Sequence, residues 1–540
     1  MNDRRGSTRL EIDRMFELPL LGGNERRFTW PLPTDIPAAQ EGLRKIGSPF
    51  LRATTAYLRA QVLFQEAVRL YVGDFASLAK KSLSIQMKNA KPDLCTATKI
   101  DPSQIQSTVE LQKLLNEMSA SATKESFAYW NERMAEILPA MLAWDFESVA
   151  RFWEKQVTVL DVVVNRNPKA LHEIEKQMGC KWDDKKRFKV VSETERAVLY
   201  QVLPLKVGVK VRKTGKPVIH FAPLILEKVI LDLLPYERLS YIGAFADSGT
   251  PTFFMATKEI EESPEAQTLT EEELIIDLEY FAKTLCKTYG RKVSLNGTCQ
   301  GALPLLHAVC ARARRVDKYV DCWIGLVPAY SLHASSRVRR DMEKIPASKR
   351  DNINAITVLL ESGNRVVPGE IAGFATRLKA DPWTTLVRDM RSAEKGERSL
   401  MASAITKYLR TLIPMSVHMM KMSHTCATKP IGEDGVFPTQ LFGDEVSFAV
   451  AIERGIKLHV VAGEKDEVVD LEAALRMFEL SCIKKYAGAS HHVVARAGHI
   501  ALMTTNSREE SENFIGKTGG PLWYHLTEEA RAPETGSGRK

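Results

Sequence analysis

Two hydrophobic textures divide the chain. Up to about Asp184, apolar residues recur at three- and four-residue intervals, the period of a helix with one buried face. This spacing predicts helices over Ala53–Ala76, Thr108–Ala120 and Ser126–Gln156. In the last of these, Trp130, Met134, Ile137, Leu138 and Met141 form a stripe of the kind that ordinarily packs against neighbouring helices. Residues 1–50, with Pro31, Pro33 and Pro37, show no periodic pattern and are expected to be loosely ordered.

Near residue 186 the period shortens. Phe188–Val191 and Ala197–Val202 predict two strands joined by a polar turn at Glu193–Glu195. Short apolar runs of strand type follow at Val218–Phe221, Thr252–Met255, Lys292–Leu295, Asp321–Leu326, Lys457–Ala462 and His492–Ala495. Helical segments separate several of them: one opened by a capping box (Thr270 with Glu273) and closed by Gly290, then Ala302–Arg315 and Leu471–Tyr486. Such alternation builds a mostly parallel sheet with helices on both faces. It is interrupted from Pro328 to Arg454 by a stretch that is helical in places and rich in methionine (Met415, Met419, Met420, Met422), with the size and position of a cap. The expected organisation is a loose N-terminus (1–50), a helical region (51–185), an α/β core (186–327 and 455–516), an inserted helical cap (328–454) and a tail (517–540). The tail, with Gly519, Gly520, Pro533, Gly536 and Gly538, is expected to be flexible.

Composition narrows the class. At 540 residues the chain exceeds one compact domain, and 44% hydrophobic with 26% charged residues is ordinary for a folded protein. The net charge of +8 is spread along the chain, so nucleic acid is not an expected partner. No apolar run approaches the roughly 18–20 residues of a membrane span, and Leu18–Leu21 is too short for a signal-peptide core. A cytoplasmic protein is expected. The eight cysteines include no Cys-x-x-Cys pair and no Cys/His cluster at zinc spacing, so no metal is expected and most read as buried thiols.

One cysteine stands apart. Gly297-Thr298-Cys299-Gln300-Gly301 follows a strand directly and opens a helix. This is the Gly-x-nucleophile-x-Gly elbow of the α/β-hydrolase fold, with cysteine in the nucleophile's place. The glycines let backbone and helix approach closely, the helix N-terminus favours a thiolate, and the Gln300 backbone N–H is placed for an oxyanion. The fold requires an acid and then a histidine after late strands. Asp466, in Gly463-Glu464-Lys465-Asp466, and His499, in Ala497-Gly498-His499, occupy those places. Asp466 would orient His499, and His499 would serve as base. Asp470 competes as the acid but also suits a helix N-cap. His491 and His492 lack a third metal ligand nearby, and His307, Cys310 and Cys322 read as packing.

With these residues in place, the stretch from about Arg187 to Thr505 resembles the polyhydroxyalkanoate synthases, most closely the type whose catalytic subunit works with a second subunit. The resemblance rests on Ile230-Leu231-Asp232-Leu233-Leu234-Pro235, the cysteine elbow, Gly463-Glu464-Lys465-Asp466-Glu467-Val468-Val469 and Gly498-His499-Ile500-Ala501. It differs in having Leu226 where asparagine is usual, Ala256-Thr257-Lys258 in place of a family segment, and Ala302 where glycine is common. The resemblance implies a nucleophile at Cys299, an acid at Asp466, a base at His499 and a second oxyanion donor from the backbone at Leu224 or Ile225. It further implies polyester synthesis from 3-hydroxyacyl-CoA with release of CoA, no cofactor beyond that thioester substrate, a polymer granule surface as the place of work, and a homodimer or a complex with a second subunit. Two alternatives stay open: a cysteine-dependent thioesterase or hydrolase of the same fold, and a weakly active granule-associated protein.

Overall fold

Eight strands form one sheet: β1 (Phe188–Glu193), β2 (Ala197–Val202), β3 (Val218–Phe221), β4 (Thr252–Thr257), β5 (Val293–Thr298), β6 (Val320–Leu326), β7 (Lys457–Gly463) and β8 (Ala489–Val494). Their order is β1-β2-β4-β3-β5-β6-β7-β8. β2 runs antiparallel to both its neighbours, and every pairing from β4 across to β8 is parallel. Sequence pattern and position agree: β3 and β5 are buried at every residue because both faces are covered, whereas edge strands β1 and β8 are largely half-buried or exposed. The computed structural model describes residues 49–89, 127–169, 187–336 (less 225, 227, 235–238 and 261–262), 358–367 (less 361), 382–394, 413–504 (less 467) and 515–531, with a few isolated positions besides.

The N-terminal helices are α1 (Pro49–Asn89), α2 (127–142) and α3 (Phe146–Asp161). Ala53, Ala56, Ala60 and Ala67 give α1 a small-residue face that packs on Trp153, Val157 and Leu160 of α3. The single helix expected over Ser126–Gln156 is broken: Trp144 adopts a left-handed φ of 57°, and Asp145 caps α3 by accepting from the Ser148 amide. The predicted stripe also divides. Ile137 is buried, but Met134, Leu138 and Met141 are exposed together with Phe127, Leu142 and Trp144. The helix expected at Thr108–Ala120 lies outside the described residues.

The core helices are α4 (Glu271–Tyr289), whose Thr270/Glu273 capping box and left-handed Gly290 stand as expected, and α5 (Ala302–Cys310). The expected run to Arg315 stops at Cys310. Ala311 instead bridges to Val446, and Arg454 binds the carbonyls of Ala311 and Arg314, ligands invisible in the local sequence.

The inserted segment carries α6 (Pro382–Ala393) and α7 (Val417–Thr428), but it is not wholly helical. It also holds a three-stranded antiparallel sheet (Val358–Leu359, Arg365–Val367, Met415–Ser416) and a hairpin (Val436–Leu441 with Asp444–Ser447). The core resumes earlier than position 455, because the helix Phe448–Glu453 already packs against α5. Past β7, the helix expected over Leu471–Tyr486 is three short turns beginning with α8 (Leu471–Leu475); α9 (His499–Thr504) follows β8.

The tail needs correction as well. Pro521–Arg531 is a helix, α10, with Leu522, Tyr524, His525 and Glu528 buried. Tyr524 stacks on His459 of β7 at 4.2 Å, and Glu529 accepts from the Lys216 amide at 2.8 Å and pairs with Arg212. Neighbouring glycines and prolines suggested a loose chain; the surface that orders this helix is supplied by distant strands. No helix among the described residues is long and apolar enough to cross a membrane. Strand order, parallel core and inserted cap define an α/β-hydrolase fold.

Candidate active site

Sequence spacing places the elbow at the C-terminal end of β5, and the backbone there fits no ordinary side chain. Cys299 has φ 51°, the left-handed region that costs a non-glycine residue about 1–3 kcal/mol. It follows the last strand residue and enters a 3-10 turn (Cys299–Gly301) that runs into α5. A Cβ on Gly297 would lie 2.4 Å from the Ala302 Cα, and one on Gly301 would lie 2.1 Å from the Ala222 carbonyl oxygen. Both glycines are therefore steric requirements, and the second shows that the loop after β3 is pressed against the elbow. The Cys299 carbonyl accepts from the Ala329 amide at 3.0 Å, tying the elbow to the chain beyond β6.

The acid and the histidine arrive from the loops after β7 and β8. Those loops are laced together: Lys465 N–H donates to the Ala497 carbonyl, Arg496 N–H donates to Glu464, and a Cβ on Gly463 would meet Ala497 O at 2.5 Å. Asp466 has both oxygens engaged. Oδ1 accepts from the amides of Val468 and Val469, each at 2.8 Å, and Oδ2 lies 2.7 Å from His499 Nδ1. The imidazole orientation is thus fixed through Nδ1. Nε2 makes no well-formed hydrogen bond, yet Cys299 is near enough to govern its protonation. Burial disfavours the imidazolium, but the neighbouring Cys299 and the bonded Asp466 carboxylate outweigh it and push the His499 pKa up to about 10. Cys299, Asp466 and His499 are each at most 6% exposed. Cys299 shares one buried hydrophobic cluster with Leu226 and Val327 from the core and with Val367, Met415 and Met420 from the inserted segment.

The other candidates fall into place around this group. Asp470 caps α8, accepting from the Ala473 amide and from Ser335 Oγ, so it is committed elsewhere. Gln300 is buried at the start of the helical run, where a backbone N–H has no partner within the helix. Leu224 is half-buried against the core beside the elbow, and Ile225 lies outside the described residues. The Leu226 amide closes a turn onto the Pro223 carbonyl. His491 packs against Phe478. His307 is buried with Nδ1 2.6 Å from Glu271 and its ring on Phe437. Burial pushes the Cys310 thiol up strongly and the Cys322 thiol up to about 12, which leaves both inert.

Sequence reading overlooked two features near the site. Cys426 of α7 donates at 3.2 Å to the carbonyl of Ala329, the same residue whose amide anchors the elbow. A buried ion pair, Arg187 with Asp232 at 2.7 Å, fixes the segment Ile230–Leu234 with help from Ser240. The acidic position within an apolar run was the available signal.

No protein-family description matches the chain, and no curated protein matches it. Solved structures do. A carboxylesterase from the thaumarchaeon Nitrososphaera gargenis is 14% identical, covering 64% of this chain and 99% of that one, with TM-score 0.34. A soluble variant of monoglyceride lipase from Saccharomyces cerevisiae is 12% identical over 58% and 88% of the two chains, with TM-score 0.36. A bromoperoxidase from Bacillus anthracis is 12% identical over 61% and 96%, with TM-score 0.34. The protein's class, an α/β-hydrolase fold, rests on its own strand order and elbow.

Proposed function

We propose that the protein is an acyltransferase of the polyhydroxyalkanoate synthase kind, joining 3-hydroxyacyl groups from CoA thioesters through a thioester on Cys299. The observation that carries this reading is a cysteine in the elbow, beside a histidine–carboxylate pair, beneath a cap. A thiol suits a thioester substrate because the exchange is nearly isoenergetic and the bound acyl group stays reactive.

In the first step the Cys299 sulfur attacks the thioester carbonyl. The oxyanion is met by the Gln300 N–H and a donor from the Leu224–Ile225 loop. Collapse breaks the bond to the CoA sulfur, which takes the proton held on His499. Having given that proton to the leaving sulfur, His499 is neutral with a free Nε2. It can then take the proton of a 3-hydroxyl, whose oxygen attacks a second acyl thioester, forms the ester and expels a thiolate. Water would compete as nucleophile, and the apolar cover over Cys299 disfavours it. A homodimer or a second subunit, and a polymer granule surface, belong to the same reading.

The deciding experiment incubates the protein with 3-hydroxybutyryl-CoA, with Cys299→Ala as control, and follows CoA release, polymer and the mass of the Cys299 peptide. Polymer together with a Cys299 adduct is expected. Free 3-hydroxybutyrate without polymer would make the protein a thioesterase, and CoA release undiminished in Cys299→Ala would end the mechanism.

A further inference from the structure

The loop between β2 and β3 is ordered, basic and tipped by one apolar side chain. From Leu203 to Pro217 it holds four lysines and one arginine, and no acid. Its stem is pinned twice. Asp247 Oδ1 accepts from the Leu205 and Lys206 amides at 2.7 and 3.0 Å, and the Arg212 amide donates to the Gly249 carbonyl at 2.9 Å. Between the pins the chain reverses in a turn closed by the Val209 amide on the Lys206 carbonyl, with Gly208 at φ 82°, the residue such a turn needs at its third position. The turn leaves Val207 98% exposed, more than any other large apolar side chain of the described residues. An aliphatic side chain gains free energy by leaving water, and this one is held out in it.

The strands β3, β5, β6, β7 and β8 run parallel, so the loops that lead into them line one edge of the sheet, opposite the elbow. Lys206, Lys210 and Lys213 precede β3, Lys318 precedes β6, and Lys484 and Lys485 precede β8. All six are exposed, and none has an ion pair among the described residues. Asp317, Asp321 and Glu529 lie on the same edge but are taken up by other cations, Asp317 by Arg315 and Arg454, Asp321 by Lys216 and Glu529 by Arg212. The lysines are therefore surplus charge, strung over four strand spacings, roughly 20 Å. The net charge of +8 is spread along the sequence; the fold gathers these cations on one edge.

We infer that this edge docks on an anionic phospholipid surface, with the lysines over the headgroups and Val207 inserted among them. Lysines suit such a surface because mobile point charges need no fixed pairing geometry, and each adds about fivefold in affinity beside an anionic leaflet. The aliphatic tip gains from the boundary between headgroups and acyl chains. A nucleic acid would offer it nothing, and these loops carry no exposed aromatic ring on which a base could stack. Docked in this way, Cys299 lies the length of β5 from the lipid, roughly 20 Å, on the end of the sheet that faces water. The docking edge is independent of the reaction at Cys299.

The test uses the full chain and vesicles of phosphatidylcholine, alone or mixed with phosphatidylglycerol, with binding read by co-sedimentation. The protein should bind the mixed vesicles and not the neutral ones, and should lose affinity as salt rises. Lys206→Gln, Lys210→Gln and Lys213→Gln combined should weaken binding about 100-fold. Val207→Asp should weaken it about tenfold, and Val207→Leu should strengthen it. All these positions are exposed, so the variants should melt like wild type and keep the wild-type rate of Cys299 alkylation by iodoacetamide, whatever reaction the protein catalyses. No binding to the mixed vesicles, equal binding to neutral ones, or wild-type binding by the combined lysine variant would overturn the proposal, as would wild-type binding by Val207→Asp. A duplex DNA oligonucleotide tests the competing polyanion: DNA bound more tightly than the mixed vesicles, with no effect of Val207→Asp, would assign the edge to nucleic acid and remove lipid.

Discussion

Replacing Asp466 by asparagine tests the arrangement at its most specific point. The side chain keeps its shape, and Oδ1 can still accept from Val468 and Val469. What changes is the 2.7 Å contact with His499 Nδ1, where a carboxylate acceptor becomes either a neutral acceptor or an amide donor. Both partners are almost fully buried, so no water replaces the lost charge. A charge-assisted hydrogen bond of this kind is worth about 1.5–3 kcal/mol, equivalent to roughly 10- to 150-fold in rate. An amide donor facing Nδ1 also favours the tautomer with its proton on Nε2, which cannot accept one from Cys299 or a hydroxyl. Together these predict a fall in kcat/KM of about 10²- to 10⁴-fold with little change in melting temperature. The imidazole also loses a support for its raised pKa of about 10, so the alkaline limb of Cys299 alkylation by iodoacetamide should move to lower pH. Turnover of acyl-CoA and the pH profile of alkylation measure the two effects. A variant within fivefold of wild type, with the alkaline limb unmoved, would refute the assignment of Asp466 as orienting acid.

Three further outcomes follow from packing and burial. Gly301→Ala places a methyl group 2.1 Å from the backbone oxygen of Ala222, so the elbow or the β3 loop must shift; thermal unfolding should show a loss of about 1–3 kcal/mol and activity should collapse. Gly498→Ala, beside the histidine, meets only an ordinary contact at 3.5 Å from Lys465 O and should be tolerated on the same assay. Acidification should also destabilise the fold through His220 and His525. Burial lowers the His220 pKa to about 3, and burial with the nearby Lys216 charge holds His525 well below the usual value. Both are neutral in the fold and take up protons when unfolded below about pH 6.5. Their contribution is complete above that value and is lost as pH falls toward the folded values. Melting temperature should therefore drop between pH 7 and 5, less steeply in His525→Leu; equal slopes would refute the account.

The elements that carry the chemistry were legible because each has a local cause. The glycines around Cys299, the capping box of α4 and the fully apolar strands β3 and β5 answer to constraints within a few residues, and chain order then pointed to Asp466 and His499. What the local sequence could not settle depended on distant partners. Sequence preferred Asp466 over Asp470 only by position; the amides of Val468 and Val469 and the ring of His499 lie on Asp466, while Asp470 caps α8. The stop of α5 at Cys310 needs Val446 and Arg454, and the order of α10 needs Lys216, Arg212 and His459. The stripe on α2 had the period of a buried face, but periodicity does not say which apolar side chains find a partner: Ile137 does, and Leu138 is exposed. The sequence by itself determined the elbow with Cys299 at its apex and the alternation that builds the sheet, because sterics and hydrogen bonding act along neighbouring residues. Only the tertiary structure decided that Asp466 meets His499 and that Val367, Met415 and Met420 share a buried cluster with Cys299, because those contacts join side chains 33 to more than a hundred residues apart.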